Sequence, residues 1–296
     1  MKVDVHSQRK LTVVPSNHPY LCGAWEPTDT EYTVIDPEVI EGEIPKDLDG
    51  VYLRNGQNPV HAPLGRYHLF DGEGMIHALS FKDGKAEYRN RWVRTESFLA
   101  EEAAGKTLWA GLIDPPSLSE RQGSGAHGAI KDTSNTDVVL HAGRAMTMWY
   151  QCGKTYRMDA RTLEPQGADE WEGKFPKDGV SAHSHVDEVT GDLLFFNYGT
   201  TAPYMHYGVV DKNNKLTHYV PIDLPGPRLP HDMSFTANHS ILLDLPLFWD
   251  PKMLANGVHR VRFYPDIPSR FGIIPRFGGT ADVKWFEAKP KIGRAH

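Results

Sequence analysis

The chain has 296 residues, 40 % hydrophobic and 24 % charged, with a formal net charge of −6. Such a composition supports a packed core, and an acidic balance with no Lys/Arg cluster argues against nucleic acid as a partner. No apolar run approaches the roughly eighteen residues of a membrane-spanning helix, and the opening MKVDVHSQRKLTVV lacks the apolar centre of a signal peptide.

The 27 glycines and 22 prolines, with short apolar runs between them, favour many strands joined by tight turns. Residues 1–20 are polar without periodicity and are expected to form an arm. GVYLRNGQNP (Gly50–Pro59) reads as a strand closed by Gly, Asn and Pro. The segment from His77 to Thr95 reads as a hairpin that turns at Asp83-Gly84, a strong type I′ signal. ESFLAEEAAG (Glu96–Gly105) is the one good helical stretch. Residues 111–128, rich in Gly, Pro and Ser, form a loop. No linker divides the rest, so a single all-β body is expected over 21–288. Only Cys22 and Cys152 are present, which points to free thiols in a reducing compartment and hence a cytoplasmic protein.

Asn135, His183 and His231 follow one another at steps of 48 residues, and each opens a short strand, a polar turn and an apolar strand. A recurrence of about 40–50 residues with several strands per unit is the signature of β-propeller blades. The first strand of each blade lines the axis, so His183 and His231, equivalent under the repeat, are expected to face one axial point. Imidazoles gathered there suit Fe, Cu, Ni or Zn, although each could equally be a hydrogen-bonded strand residue. SAHSHVD (Ser181–Asp187) reads as the start of a strand, which would place His185 on the face of His183. Neither Thr136 nor Ser234 offers a matching ligand, so His185 reads as a bystander.

Other motifs fail on context. GSGAHG (Gly123–Gly128) has the Gly spacing of a dinucleotide loop but no strand before it or helix after it. FDGEG (Phe70–Gly74) and DKNNK (Asp211–Lys215) lack the full ligand series of a calcium loop and read as turns. There is no HExxH and no GxSxG.

A longer series of motifs resembles the carotenoid cleavage oxygenases, a family that includes stilbene-cleaving dioxygenases. In order these are IPKDLDG (44–50), YLRNGQNP (52–59), HLFDGEGMIH (68–77), RWVRT (91–95), SNTDVVLHAGR (134–144), Ala182-His183, PHDMSF (230–235), SRFGIIPR (269–276) and WFE (285–287). The resemblance implies a seven-bladed propeller with Fe(2+) on its axis, held by four histidines. It assigns two of these to His183 and His231 and leaves His185 outside the set. It implies that Thr136 narrows access to an open iron position and that Phe70 and Trp149 line an apolar cavity, although both could be ordinary core aromatics. The implied reaction adds O2 across a conjugated C=C bond of an apocarotenoid- or stilbene-type substrate and yields two carbonyl products. The implied partners are that small apolar substrate and O2, and peripheral membrane contact is compatible with the resemblance.

Two departures from the pattern stand out. Tyr150 replaces the Glu that hydrogen-bonds a ligand histidine in most relatives, which removes a charge from the ligand's surroundings. The Lys that stilbene-cleaving members place nearby is absent from 147–151, which tilts the reading toward an apocarotenoid-like alkene. The pattern also puts a third histidine at Ala295, missed by one residue at His296, and a fourth farther on. The expectation is therefore an incomplete propeller of the first four to five blades, with 289–296 a truncated or non-native tail and the chain inactive by itself. A metal-free propeller that serves as a binding module is the alternative, favoured by Tyr150.

Overall fold

The computed structural model describes residues 1–14, 18–123, 131–254 and 260–292. It resolves into two compact units, residues 1–149 with 154–169, and residues 150–153 with 170–296. Nearly all of its regular structure is antiparallel β-sheet.

The first unit contains β1 (Lys2–Gln8), β2 (Thr30–Ile35), β3 (Gly50–Gln57), β4 (Gly74–Lys82), β5 (Lys85–Trp92), α1 (Glu96–Ala104), β6 (Asp137–His141), β7 (Arg144–Met148), β8 (Tyr156–Met158) and β9 (Pro165–Ala168). β1 to β5 form a five-stranded sheet in the order β1-β2-β5-β4-β3, and β6 to β9 form a four-stranded meander. The expected arm is thus partly ordered, because β1 pairs along β2 and adds an edge strand. The β4–β5 hairpin turns at Asp83 (φ 52°) and Gly84 (φ 75°), the left-handed pair that a type I′ turn requires. α1 starts where the Thr95 hydroxyl accepts the Phe98 N–H and stops at left-handed Gly105. Its core joins Ile76, Ala78 and Val93 to Ala145, Tyr156, Met158 and Leu163.

The second unit contains β10 (His185–Val186), β11 (Leu193–Tyr198), β12 (Tyr204–Val210), β13 (Leu216–Asp223), β14 (Met233–Phe235), β15 (His239–Asp244), β16 (Leu247–Trp249), α2 (Pro251–Leu254), β17 (Val261–Phe263), β18 (Ser269–Pro275) and β19 (Lys284–Ala288). β10 to β13 form one four-stranded sheet and β14-β15-β18-β19 another, with the β16–β17 ribbon inserted between β15 and β18. Every residue of β11 is buried, and Leu194, Phe196 and Tyr198 pack with Tyr207, Met233, Leu242 and Ile274.

The 48-residue step survives as topology. β6, β10 and β14 open at Asp137, His185 and Met233, 48 residues apart each time, and each opens a four-stranded antiparallel sheet. His183 departs from the expected strand geometry. It precedes β10 rather than lying in it, and its φ is +60°. Strand alternation therefore does not apply to it, and His183 and His185 do not share a face by strand geometry.

Many motif residues prove to be clamps within their own unit. Asn55 donates to the carbonyls of Ser134 and Asp137. Gly74 lies so close to the Ser134 carbonyl that a Cβ there would sit 2.5 Å from it. At Gly272 the equivalent contact is with the Trp285 ring, at 2.9 Å. Asp211 accepts the N–H groups of Asn213 and Lys215, so DKNNK forms a turn. The 111–123 part of the expected loop has only a 3-10 turn at Pro116–Leu118. Residues 124–128 of GSGAHG and 293–296 of the tail lie outside the described residues.

Candidate metal centre

In the second unit the two sequence-predicted histidines come together. The rings of His183 and His231 lie 4.8 Å apart between centroids, tilted by 35°. Each residue sits two positions ahead of the first strand of its sheet, so the repeat sets both at the same level. Both Nε2 atoms are buried. Two imidazoles so placed suit a borderline transition metal. Among the described residues no group of three or more His, Cys, Asp or Glu side chains forms a metal cage. The pair could supply two donors of a metal site.

His185 lies outside that pair: its side chain is 38 % exposed and its ring faces Phe235 at 6.0 Å between centroids. Its Nε2 lies 3.0 Å from Asp232 Oδ1 and 2.8 Å from the Met233 carbonyl. Burial works against the charged form of Asp232, but the bonds from His185 and from the Met233 N–H hold its carboxyl below the usual range. Tyr150 contributes its backbone here: its carbonyl accepts from Ser181 Oγ at 3.2 Å and from the Tyr198 hydroxyl at 2.6 Å. Cys152, buried beneath this segment, has its thiol pushed up to about 12 by desolvation, which leaves it a packing residue.

The remaining predicted residues belong to the first unit. Thr136 N–H donates to the Met148 carbonyl at 3.0 Å, and its hydroxyl donates to Asn135 Oδ1 at 3.2 Å. Asn135 in turn donates to the carbonyls of Phe70 and Gly72. This linkage brings the segments of Phe70, Thr136 and Trp149 together within the unit. Trp149, only 2 % exposed, is in the wall of a narrow cleft with Tyr67, Asp71, Trp109, Lys131 and Thr133. Phe70 is not in that wall. The Tyr67 hydroxyl, Trp109 Nε1 and Thr133 Oγ1 are buried there without hydrogen-bond partners among the described residues.

Beside the cleft, the Lys131 ammonium bridges Glu73 at 2.8 Å and Glu101 at 3.1 Å. Burial opposes its charge, but Glu101 and Glu73 outweigh burial and hold its pKa above the ordinary lysine value. Burial raises Glu101 in the same triad. This ion cluster and the His185 bridge were missed by reasoning from sequence. The only signal for the bridge was the repeat, which makes His185 and Met233 equivalent positions.

All-β meanders in this order, with a histidine ahead of the first strand in two of them, define the class to which the comparisons add a family. The sequence profile of the retinal pigment epithelial membrane protein family matches residues 25–294. The chain belongs to that family, in agreement with the carotenoid cleavage oxygenase resemblance. It is 33 % identical over 275 residues to an isoeugenol monooxygenase of Pseudomonas nitroreducens, covering 92 % of this chain and 56 % of that protein. It is likewise 33 % identical over 289 residues to a carotenoid 9,10(9',10')-cleavage dioxygenase of Pisum sativum, covering 91 % and 52 %. The crystal structure of a Pseudomonas brassicacearum lignostilbene dioxygenase superposes with a TM-score of 0.81 at 28 % identity, over 93 % of this chain and 57 % of that one. The chain thus spans about half the length of the curated relatives it matches. No helix among the described residues is long and apolar enough to cross a membrane.

Proposed function

We propose that this chain carries part of the active site of a non-haem Fe(2+) dioxygenase that cleaves a conjugated C=C bond to two carbonyl products, with O2 as co-substrate. The observation that carries this reading is the side-by-side placement of the His183 and His231 rings with both Nε2 atoms buried. When bound, Fe(2+) supplies a redox-active Lewis acid of the kind that O2 chemistry on an alkene needs. His183 and His231 would hold it as neutral imidazoles, and the burial of their Nε2 atoms keeps water from that side. Within the first unit, Thr136 is proposed to limit access, and Phe70 and Trp149 to offer apolar surface to a substrate. Tyr150 takes the place of a charged carboxylate near a ligand, which leaves that ligand less basic.

Isoeugenol, carotenoids and lignostilbenes, named by the relatives, share an alkene conjugated with a ring or polyene, and that class is the proposed substrate. In this reading the antiparallel sheets are successive propeller blades. Two imidazoles alone hold a ferrous ion weakly, so the 296-residue chain by itself turns over little.

The test is an anaerobic Fe(2+) titration of the purified chain labelled with 15N-histidine. Paramagnetic broadening should begin at His183 and His231 and vanish in H183A and H231A. Isoeugenol-, stilbene- and apocarotenoid-type alkenes incubated with the loaded chain and O2 should give at most traces of aldehyde products by chromatography. Broadening spread evenly over the surface histidines would sink the metal reading and favour a metal-free binding module.

A further inference from the structure

We propose that His185 is a positioning residue that holds the His231 ring beside the His183 ring. Both atoms near its Nε2, Asp232 Oδ1 at 3.0 Å and the Met233 carbonyl at 2.8 Å, are acceptors. Nε2 must therefore carry the proton and donate one shared N–H. Met233 opens β14 and directly follows Asp232, which directly follows His231. His185 opens β10, two residues after His183. A single imidazole N–H thus ties the two segments that bear the paired rings.

No backbone ladder can do this, because β10 and β14 belong to different sheets. His183 itself lies outside β10 with φ +60°, so its direction depends on what anchors the residues after it. The same Asp232 Oδ1 also accepts the Met233 N–H at 2.8 Å, which fixes the acceptor in place. Outer partners of this kind set ligand orientation, and their loss typically weakens metal binding about 10- to 100-fold. The metal consequence rests on the reading of His183 and His231 as ligands, whereas the clamp between the segments does not.

The test compares wild-type chain with H185L, which keeps bulk but has no donor, and H185Q, whose amide can donate to the same acceptors. In the metal-free, 15N-histidine-labelled chain, His185 should be the Nε2–H tautomer, and the His183 and His231 rings should give an inter-ring NOE. H185L should lose that NOE while its circular dichroism spectrum stays native, and H185Q should keep it. If H185L does not fold, H185A is read in its place. Titration with Co2+ should show affinity on the order of 10-fold weaker in H185L, with altered visible bands, and near wild type in H185Q. An inter-ring NOE that persists in the folded donor-less variant overturns the positioning role. If the wild type shows the NOE yet takes up no Co2+, the metal reading fails and the clamp stands.

Discussion

Replacing Lys131 by Met should destabilise the first unit by about 3–5 kcal/mol at pH 8, the usual result of removing one partner from a buried ion cluster. The side chains are enclosed: Lys131 is 10 % exposed, Glu73 4 % and Glu101 1 %. The two carboxylates reach the ammonium from β4's approach and from α1, so its loss leaves two like charges facing each other without a counter-ion. A proton can partly substitute for the ammonium. Burial already raises the Glu101 carboxyl, and without Lys131 it rises further. A carboxyl whose folded pKa exceeds its unfolded one gives stability that is full below the unfolded value and is lost as pH rises through the folded value. The K131M penalty should therefore be smaller at pH 5 than at pH 8, and K131M/E101Q should recover part of it. Hydrogen exchange by mass spectrometry on peptides from β4 and α1 reads this unit locally. A penalty under about 1 kcal/mol, or one equal at both pH values, would refute a desolvated triad.

Asp132 has its carboxyl raised to about 7 by burial, against bonds from the N–H groups of Lys154 and Ser134. Its contribution to stability is full below about pH 4 and lost as pH rises through about 7. Carbon-detected NMR should show its side-chain carboxyl titrating near neutrality, and a midpoint below 5 would contradict the assignment. Gly272→Ala should cost about 1–3 kcal/mol, because the new Cβ would press on the Trp285 ring at 2.9 Å. Thermal denaturation would show it, and an unchanged midpoint would mean that β19 yields freely. Asn55→Ala should lower stability by about 1–3 kcal/mol by leaving the Ser134 and Asp137 carbonyls without their donor, with faster exchange in β6 as the readout.

Local chemistry alone determined a good part of this protein. Asp83-Gly84 sets a hairpin through its left-handed preference, Thr95 and Gly105 bound a helix, and the 48-residue step marks where three sheets begin. Each of these depends on residues close in sequence, so each is legible without coordinates. The step also made His183 and His231 equivalent, and equivalence in a repeat is a statement about space. The structure alone decided that His183 stands outside its strand with φ +60°, that His185 reaches 47 residues ahead to Asp232, and that Lys131 closes on Glu73 across 58. Those contacts lie between segments that no backbone ladder or local turn connects. Their geometry follows from how the sheets and loops pack, and the spacing of residue types along a chain carries no measure of that.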